Sequence, residues 1–312
     1  MIPAQLKGRD FLRVNDWAPD ELTLVLDHAD RLKARQRERV EHRLLEGRSL
    51  GMIFQKPSTR TRVSFEVGIS QLGGTGLYLA AGDLQLGRGE TIKDTAVVLS
   101  RYLDGIMIRT FAQADVDELA EHADIPVING LTDDFHPCQA LADVMTIRER
   151  LGGFEGVRVA YFGDGNNVCH SLMVACAKLG LNFVAATPPG YEPSAEVVGW
   201  ARAAAEAKGT AVELTNDARA AATGADVHYT DVWTSMGQNE ERERRLADLA
   251  GYGIDPDLVA LGSERAIVLH CLPAHYGEEI AEDVLYGERS AVWDQAENRL
   301  HAQKALMALV IR

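Results

Sequence analysis

The sequence is short of cysteine, of net positive charge and of long apolar runs, and each shortage removes a class of function. Four cysteines, Cys138, Cys169, Cys176 and Cys271, are spread over 312 residues without a close C-x-x-C pair. That is the usage of reduced thiols and not of a disulfide framework. The formal net charge is -14, the reverse of the basic surface that a phosphate backbone demands, so a nucleic-acid partner is not expected. Any anion bound by so acidic a chain must meet positive charge concentrated locally. No run of about 18 apolar residues occurs, and the first twenty residues lack a basic start followed by a long apolar segment, which predicts a soluble, cytoplasmic protein without a membrane partner. A Walker A loop, G-x-x-x-x-G-K-[ST], is missing too. There is no internal repeat and no low-complexity tract, and the charge-dense E-E-R-E-R-R at 240–245 reads as a solvated helix face.

What is present is a steady rhythm. With 46% hydrophobic residues the chain can bury a large core, and its length suits two compact units. Short β-branched runs at 51–54, 76–80, 105–109, 126–129, 157–162, 182–186, 211–214, 226–229 and 266–269 alternate with helical patterns. This predicts an α/β fold of two doubly wound parallel-sheet domains joined by interdomain helices, with ligands at the carboxyl ends of strands. The stretch 137–151 opens with proline at a first helical position and stops at Gly152-Gly153, as a connecting helix would. A last strand-like run at 291–293 precedes a helical pattern over 296–312, free to pack back on the first domain.

Chemistry gathers at the strand ends. After the apolar 50–54 comes Q-K-P-S-T-R-T-R, and V-S-F-E-V then continues with helical spacing. Ser58, Thr59, Arg60 and Thr61 therefore fall on a strand-to-helix turn, where free backbone N–H groups and the helix dipole favour an anion. The alternative is an ordinary helix cap with surface arginines. Arg109 closes the run I-M-I-R, and His136 and Gln139 open the connecting helix, so all three can converge on one crevice; taken singly, each is equally a salt-bridge or packing residue. In V-A-Y-F-G-D-G-N-N-V, Gly163 and Gly165 fit the start of a dinucleotide fingerprint, but Val168 fills the third glycine position and opposes close approach of helix and strand. A nicotinamide-dependent oxidoreductase is thereby disfavoured, and Asn166 and Asn167 offer amides instead. Asp231, followed by W-T-S-M-G, brings a carboxylate, a hydroxyl and a glycine hinge suited to an ammonium-bearing ligand and a mobile loop. H-C-L-P at 270–273 places a thiol and a pre-proline carbonyl at another strand end, with a merely buried cysteine as the alternative.

Taken in order, S-T-R-T-R, H-P-C-Q, D-V-W-T-S-M-G-Q and H-C-L-P resemble the aspartate/ornithine carbamoyltransferase superfamily over essentially the whole chain, and the last two resemble its ornithine branch. The resemblance implies transfer of a carbamoyl group from carbamoyl phosphate to the δ-amine of L-ornithine, with no metal and no organic cofactor. It implies a carbamoyl phosphate-binding domain over 1–135 completed by the helix 296–312, a connecting helix over 136–151 and an ornithine-binding domain over 152–295. Ser58, Thr59, Arg60, Thr61, Arg109, His136 and Gln139 match positions that hold the phosphate or carbamoyl group, and Gln85 matches a contact made from the neighbouring subunit of a trimer or a multiple of trimers. Asn167, Asp231, Ser235 and Met236 match ornithine-binding positions, while Cys271, Leu272 and Arg299 match residues near the reacting centre. Arg60, Arg109, His136 and Cys271 are thereby the expected catalytic residues. Two departures, Gln55 where the family usually has an acid and Tyr276 where it often has arginine, alter local charge without removing a group assigned to a substrate. Another amine acceptor, such as putrescine, and a non-catalytic binding protein remain the alternatives.

Overall fold

Apolar runs form strands and the amphipathic stretches between them form helices in the computed structural model, which describes residues 6–85, 89–234 and 241–312. After helix α1 (Pro19–Arg37) the chain runs through β1 (Ser49–Phe54), α2 (Thr59–Gln71), β2 (Thr75–Ala80), α3 (Ile92–Leu99), β3 (Gly105–Arg109), α4 (Gln113–His122) and β4 (Val127–Leu131). These strands form one parallel sheet in the order β2-β1-β3-β4. β3 is buried along its whole length and β1 along all but its first residue, as expected of parallel strands covered on both faces, which is why they read as unbroken apolar runs. On one face Ile53, Ile106 and Ile108 pack with Ala96 of α3 and with Val116 and Leu119 of α4. β2 is an edge strand, and Leu77 and Tyr78 on it stay exposed.

The second series is α5 (Pro137–Leu151), β5 (Arg158–Phe162), α6 (Asn167–Leu179), β6 (Asn182–Ala186), α7 (Ala195–Lys208), β7 (Val212–Thr215), α8 (Ala218–Ala222), β8 (Val227–Thr230), α9 (Arg242–Leu249), α10 (Pro256–Val259), β9 (Ile267–His270), α11 (Glu282–Leu285) and α12 (Val292–Val310). Its sheet is also parallel, in the order β7-β6-β5-β8-β9. Ala160, Phe162, Val184 and Ala186 share a core with Ala221 and Ala222 of α8 and with Tyr252 and Ile254. Two compact units divide the chain at Ala142/Asp143, within α5, and at Ala296/Glu297, within α12, so the end of α12 belongs with the first sheet. Both sheets reverse their winding beside their first strand, between β1 and β3 and between β5 and β8. Ligands of doubly wound sheets collect outside the carboxyl ends of such strand pairs.

Two local expectations are corrected. The run at 291–293 is not a strand: Ala291 N donates to Val268 O at 2.9 Å, and Val292 already begins α12. A single bridge cannot compete with the helix-forming residues that follow. The stretch 240–245 is not wholly a solvated face either, since Arg245 is buried, donates from Nε to Trp233 O at 2.6 Å and pairs with Asp164.

Candidate active site

In the first unit Ser58 is the N-cap of α2, and its Oγ accepts from Thr61 N at 3.2 Å. No acidic residue occupies the first turn, so the positive end of the helix is not neutralised locally. The three cations of this stretch have separate fates. Lys56 is buried, pairs with Asp133 and lies 4.3 Å from the Phe111 ring centroid. Arg62 pairs with Glu66 at 3.4 Å and covers the Tyr78 ring. Arg60 alone bears electrostatically on His136.

The register brings Arg109 to this turn, because Phe54 at the end of β1 is its strand partner and Gln55 N donates to Arg109 O at 2.8 Å. Thr110 Oγ1 donates to Gln55 Oε1 at 2.8 Å, so the uncharged Gln55 offers a hydrogen-bond acceptor at this strand end. Arg299 reaches in from α12, donating through Nη1 to Gln139 Oε1 at 2.7 Å and through Nη2 to Thr61 Oγ1 at 3.2 Å. His136 is buried among these groups. Burial first, then the charges of Arg299, Arg109 and Arg60, holds its imidazole well below the usual histidine range, so it is neutral at neutral pH. Three guanidinium groups, a neutral imidazole and a helix start without an acidic residue make a cluster suited to a small, highly charged oxyanion. Cys138, next to it on α5, is pushed up to about 12 by burial and is inert as a nucleophile.

In the second unit Asn166 caps α6. Its Oδ1 accepts from Val168 N and Cys169 N at 3.0 and 3.1 Å and from Tyr161 Oη at 3.0 Å. Its Nδ2 donates to Asp231 Oδ2 at 2.8 Å, and Cys271 Sγ donates to Asp231 Oδ1 at 2.8 Å. Asp231 is only 6% exposed, yet both donors are neutral and no cation pairs with it among the described residues. A buried carboxylate without a counter-ion is costly unless a ligand supplies the positive charge. Leu272, beside Cys271, takes a φ of 60°, a left-handed conformation that a γ-branched residue adopts only when held there. His270 holds it: Nδ1 accepts from Leu272 N at 2.8 Å, which leaves the proton on Nε2 to bond Glu279 Oε1 at 3.1 Å. Gln295 supports the same turn, accepting from His270 N at 2.9 Å while Nε2 donates to Asp143 Oδ1 at 2.7 Å.

Gly163 and Gly165 serve packing. A Cβ on Gly163 (φ 116°) would stand 3.0 Å from Trp233 Nε1, and one on Gly165 would stand 2.3 Å from Pro193 N. Asp164 between them is paired with Arg245, so this turn is occupied by its own chain and offers no phosphate cradle.

The structure therefore gathers Ser58, Arg60, Thr61, Arg109, His136, Gln139 and Arg299 in the first unit, and Asp231, Cys271 and Leu272 in the second, with Asn167 opening α6 beside its cap. Thr59 is exposed at the first position of α2. Gln85 is exposed in the loop after β2, and no hydrogen bond or ion pair among the described residues ties it to the first cluster. Ser235 and Met236 lie outside the described residues. Sequence reasoning passed over Glu279, Gln295 and Asp143, which support the H-C-L-P turn from positions that carry no motif of their own.

Comparison with known proteins agrees with the motif reading. Residues 9–149 match the family model of the aspartate/ornithine carbamoyltransferase carbamoyl-P binding domain, and residues 155–310 match that of the Asp/Orn binding domain. A protein of Oceanobacillus iheyensis named ornithine carbamoyltransferase is 55% identical over 307 residues, covering 98% of this chain and 95% of the relative. One of Pyrococcus furiosus, named ornithine carbamoyltransferase, anabolic, is 55% identical over 306 residues, covering 98% of this chain and 97% of the relative. The solved ornithine carbamoyltransferase of Pyrococcus furiosus superposes with a TM-score of 0.96 at 55% identity, covering 98% of each chain. That of Thermus thermophilus gives 0.87 at 42% identity, covering 97% of this chain and 99% of the other.

Proposed function

The chain belongs to the aspartate/ornithine carbamoyltransferase family, and from that membership we infer that it transfers the carbamoyl group of carbamoyl phosphate to the δ-amine of L-ornithine, giving L-citrulline and phosphate. The observation that carries the reaction is the match, over nearly the full length, to proteins of that activity at 55% identity. The buried Asp231, which pairs with no cation among the described residues, supports the acceptor, because an amino acid brings an ammonium to it. The Pyrococcus furiosus relative is named anabolic, and the biosynthetic direction is proposed here as well.

Carbamoyl phosphate carries its own leaving group, so an enzymic nucleophile is unnecessary and catalysis rests on positioning and electrostatics. We assign the phosphate to Ser58, Thr59, Arg60 and Thr61 at the start of α2, and the carbamoyl oxygen to Arg109, His136, Gln139 and Arg299. The neutral δ-amine attacks the carbamoyl carbon, a C–N bond forms, the bond from that carbon to the phosphate oxygen breaks with its electron pair leaving on phosphate, and the proton shed by the attacking nitrogen passes to the departing phosphate. Arg60, Arg109, His136 and Thr61 meet the charge that develops on the carbonyl oxygen and the departing phosphate. Asp231 takes the α-ammonium, and Asn167, Ser235 and Met236 take the remaining polar groups of the amino-acid end. The Cys271 sulfur and the Leu272 carbonyl accept hydrogen bonds from the δ-amine. No metal or organic cofactor enters this scheme.

An acceptor screen tests the assignment. With carbamoyl phosphate and colorimetric detection of ureido product, ornithine should far exceed lysine, putrescine and N-acetylornithine, and comparable turnover of putrescine would remove the role given to Asp231.

We also propose a homotrimer, or a multiple of it, in the cytoplasm. No helix of the described residues is long and apolar enough to cross a membrane, and the four cysteines are free thiols. Val63, Val67, Leu77, Tyr78, Val98 and Tyr102 are large apolar residues exposed on the first unit, which supports burial against neighbours. Gln85 is assigned to a neighbour's phosphate site. Mixing inactive Arg109→Ala protein with inactive Gln85→Ala protein under subunit exchange should restore part of the activity, since some sites then draw both intact residues from different chains. Proven exchange without recovery would exclude shared sites.

A further inference from the structure

Just past H-C-L-P the chain reads A-H-Y-G-E-E, and Gly277, at a φ of 81°, turns it back on itself. Glu278 N donates to His275 O at 3.1 Å and Gly277 N to Ile280 O at 3.0 Å, closing the turn. As a result one donor atom each from His275, Glu278 and Glu279 lies within 4.8 Å of the others. Such proximity alone is common on acidic surfaces. The two oxygens of Glu279 make the difference. The residue is 0% exposed, and Oε1 is occupied by His270 Nε2 and by His275 N. Oε2 is buried without a hydrogen-bond partner and lies 3.7 Å from His275 Nδ1. A buried carboxylate oxygen left without a donor is costly, and a cation would relieve it.

We propose that His275, Glu278 and Glu279 form a binding site for one divalent transition-metal ion of the zinc class. One imidazole nitrogen and two carboxylate oxygens are ligands that zinc accepts, at about 2.0–2.2 Å, with water in the fourth position. The two carboxylate charges balance the ion. His275 is half exposed and can close the remaining distance. The competitor is Arg242, which pairs with Glu278 Oε1 from an exposed position, and an exposed pair of that kind is worth little. An ion on Glu279 Oε2 would act through Oε1 on His270, and so on the turn that carries Cys271.

The test uses the full-length chain and cobalt as a spectroscopic stand-in, followed by zinc in competition with a chromogenic chelator. One equivalent of Co²⁺ should give visible d–d absorption without a thiolate charge-transfer band. His275→Ala and Glu278→Gln, both at the surface, should each weaken zinc by about tenfold or more, since even outer-shell changes at metal sites cost 10–100-fold. Circular dichroism would establish that they fold. Cys271→Ser should bind zinc as the parent chain does. Absence of stoichiometric binding, binding that survives both surface variants, or binding lost only with Cys271→Ser would each overturn the proposal.

Discussion

Arg60→Ala is expected to lower kcat by about 10²–10³, equivalent to roughly 3–4 kcal/mol of transition-state stabilisation, because it removes one preorganised donor at the point where charge develops on phosphate. The fold should survive. Arg60 stands in the first turn of α2, where a positive side chain opposes the helix dipole, so its loss does not weaken the helix. Its charge is also one of the three that hold His136 neutral, and the variant should therefore show a histidine that titrates closer to the usual range. Carbamoyl phosphate titration, kcat and circular dichroism measured together decide the matter. Unchanged affinity for carbamoyl phosphate with native dichroism would mean that the anion lies elsewhere.

Asp231→Asn is expected to raise the KM for ornithine by at least about 30-fold, since truncating one side of a buried charge pair costs roughly 2–5 kcal/mol and 1.4 kcal/mol is tenfold. Carbamoyl phosphate binding should be unaffected, because the groups assigned to it belong to the first unit and Asp231 to the second. The pH profile separates this role from that of a base. An aliphatic δ-ammonium resembles the lysine side chain, with a reference pKa of about 10.4, so only about 0.1% of it is neutral at pH 7.4. The parent kcat/KM should rise about tenfold per pH unit between about pH 6.5 and 8.5. His136 adds no inflection there, since burial and the guanidinium charges keep it neutral throughout. The Asn variant should keep that slope. A flattened profile with unchanged ornithine affinity would make Asp231 the base for the δ-amine and reverse the orientation of the substrate.

Local physics was legible in the linear chain. Ser58 capping α2, Pro137 opening α5, the apolar runs of β1 and β3 and the unusual H-C-L-P turn all depend on residues within about four positions of one another, and short-range spacing encodes such features directly. The same spacing disfavoured a dinucleotide loop at Val168, and Gly163 and Gly165 proved to be packed against Trp233 and Pro193. Partner choice was not legible, because it is settled by residues far apart in the chain. Lys56, Arg60 and Arg62 are equivalent cations on paper, yet Asp133 takes the first, Glu66 the third, and only Arg60 bears on His136. Arg245 looked like one more solvated charge until Asp164, 81 positions earlier, and the Trp233 carbonyl buried it. Arg299 meets Gln139 and Thr61 across separations of 160 and 238 residues. Asp231 became a buried carboxylate without a cation among the described residues only when β8 was laid between β5 and β9, which bring Asn166 to one of its oxygens and Cys271 to the other. Composition sets how much charge a chain carries, but which charges are desolvated and left for a ligand is a property of the folded neighbourhood, where the cost of burial is decided by the groups that the sheet brings together.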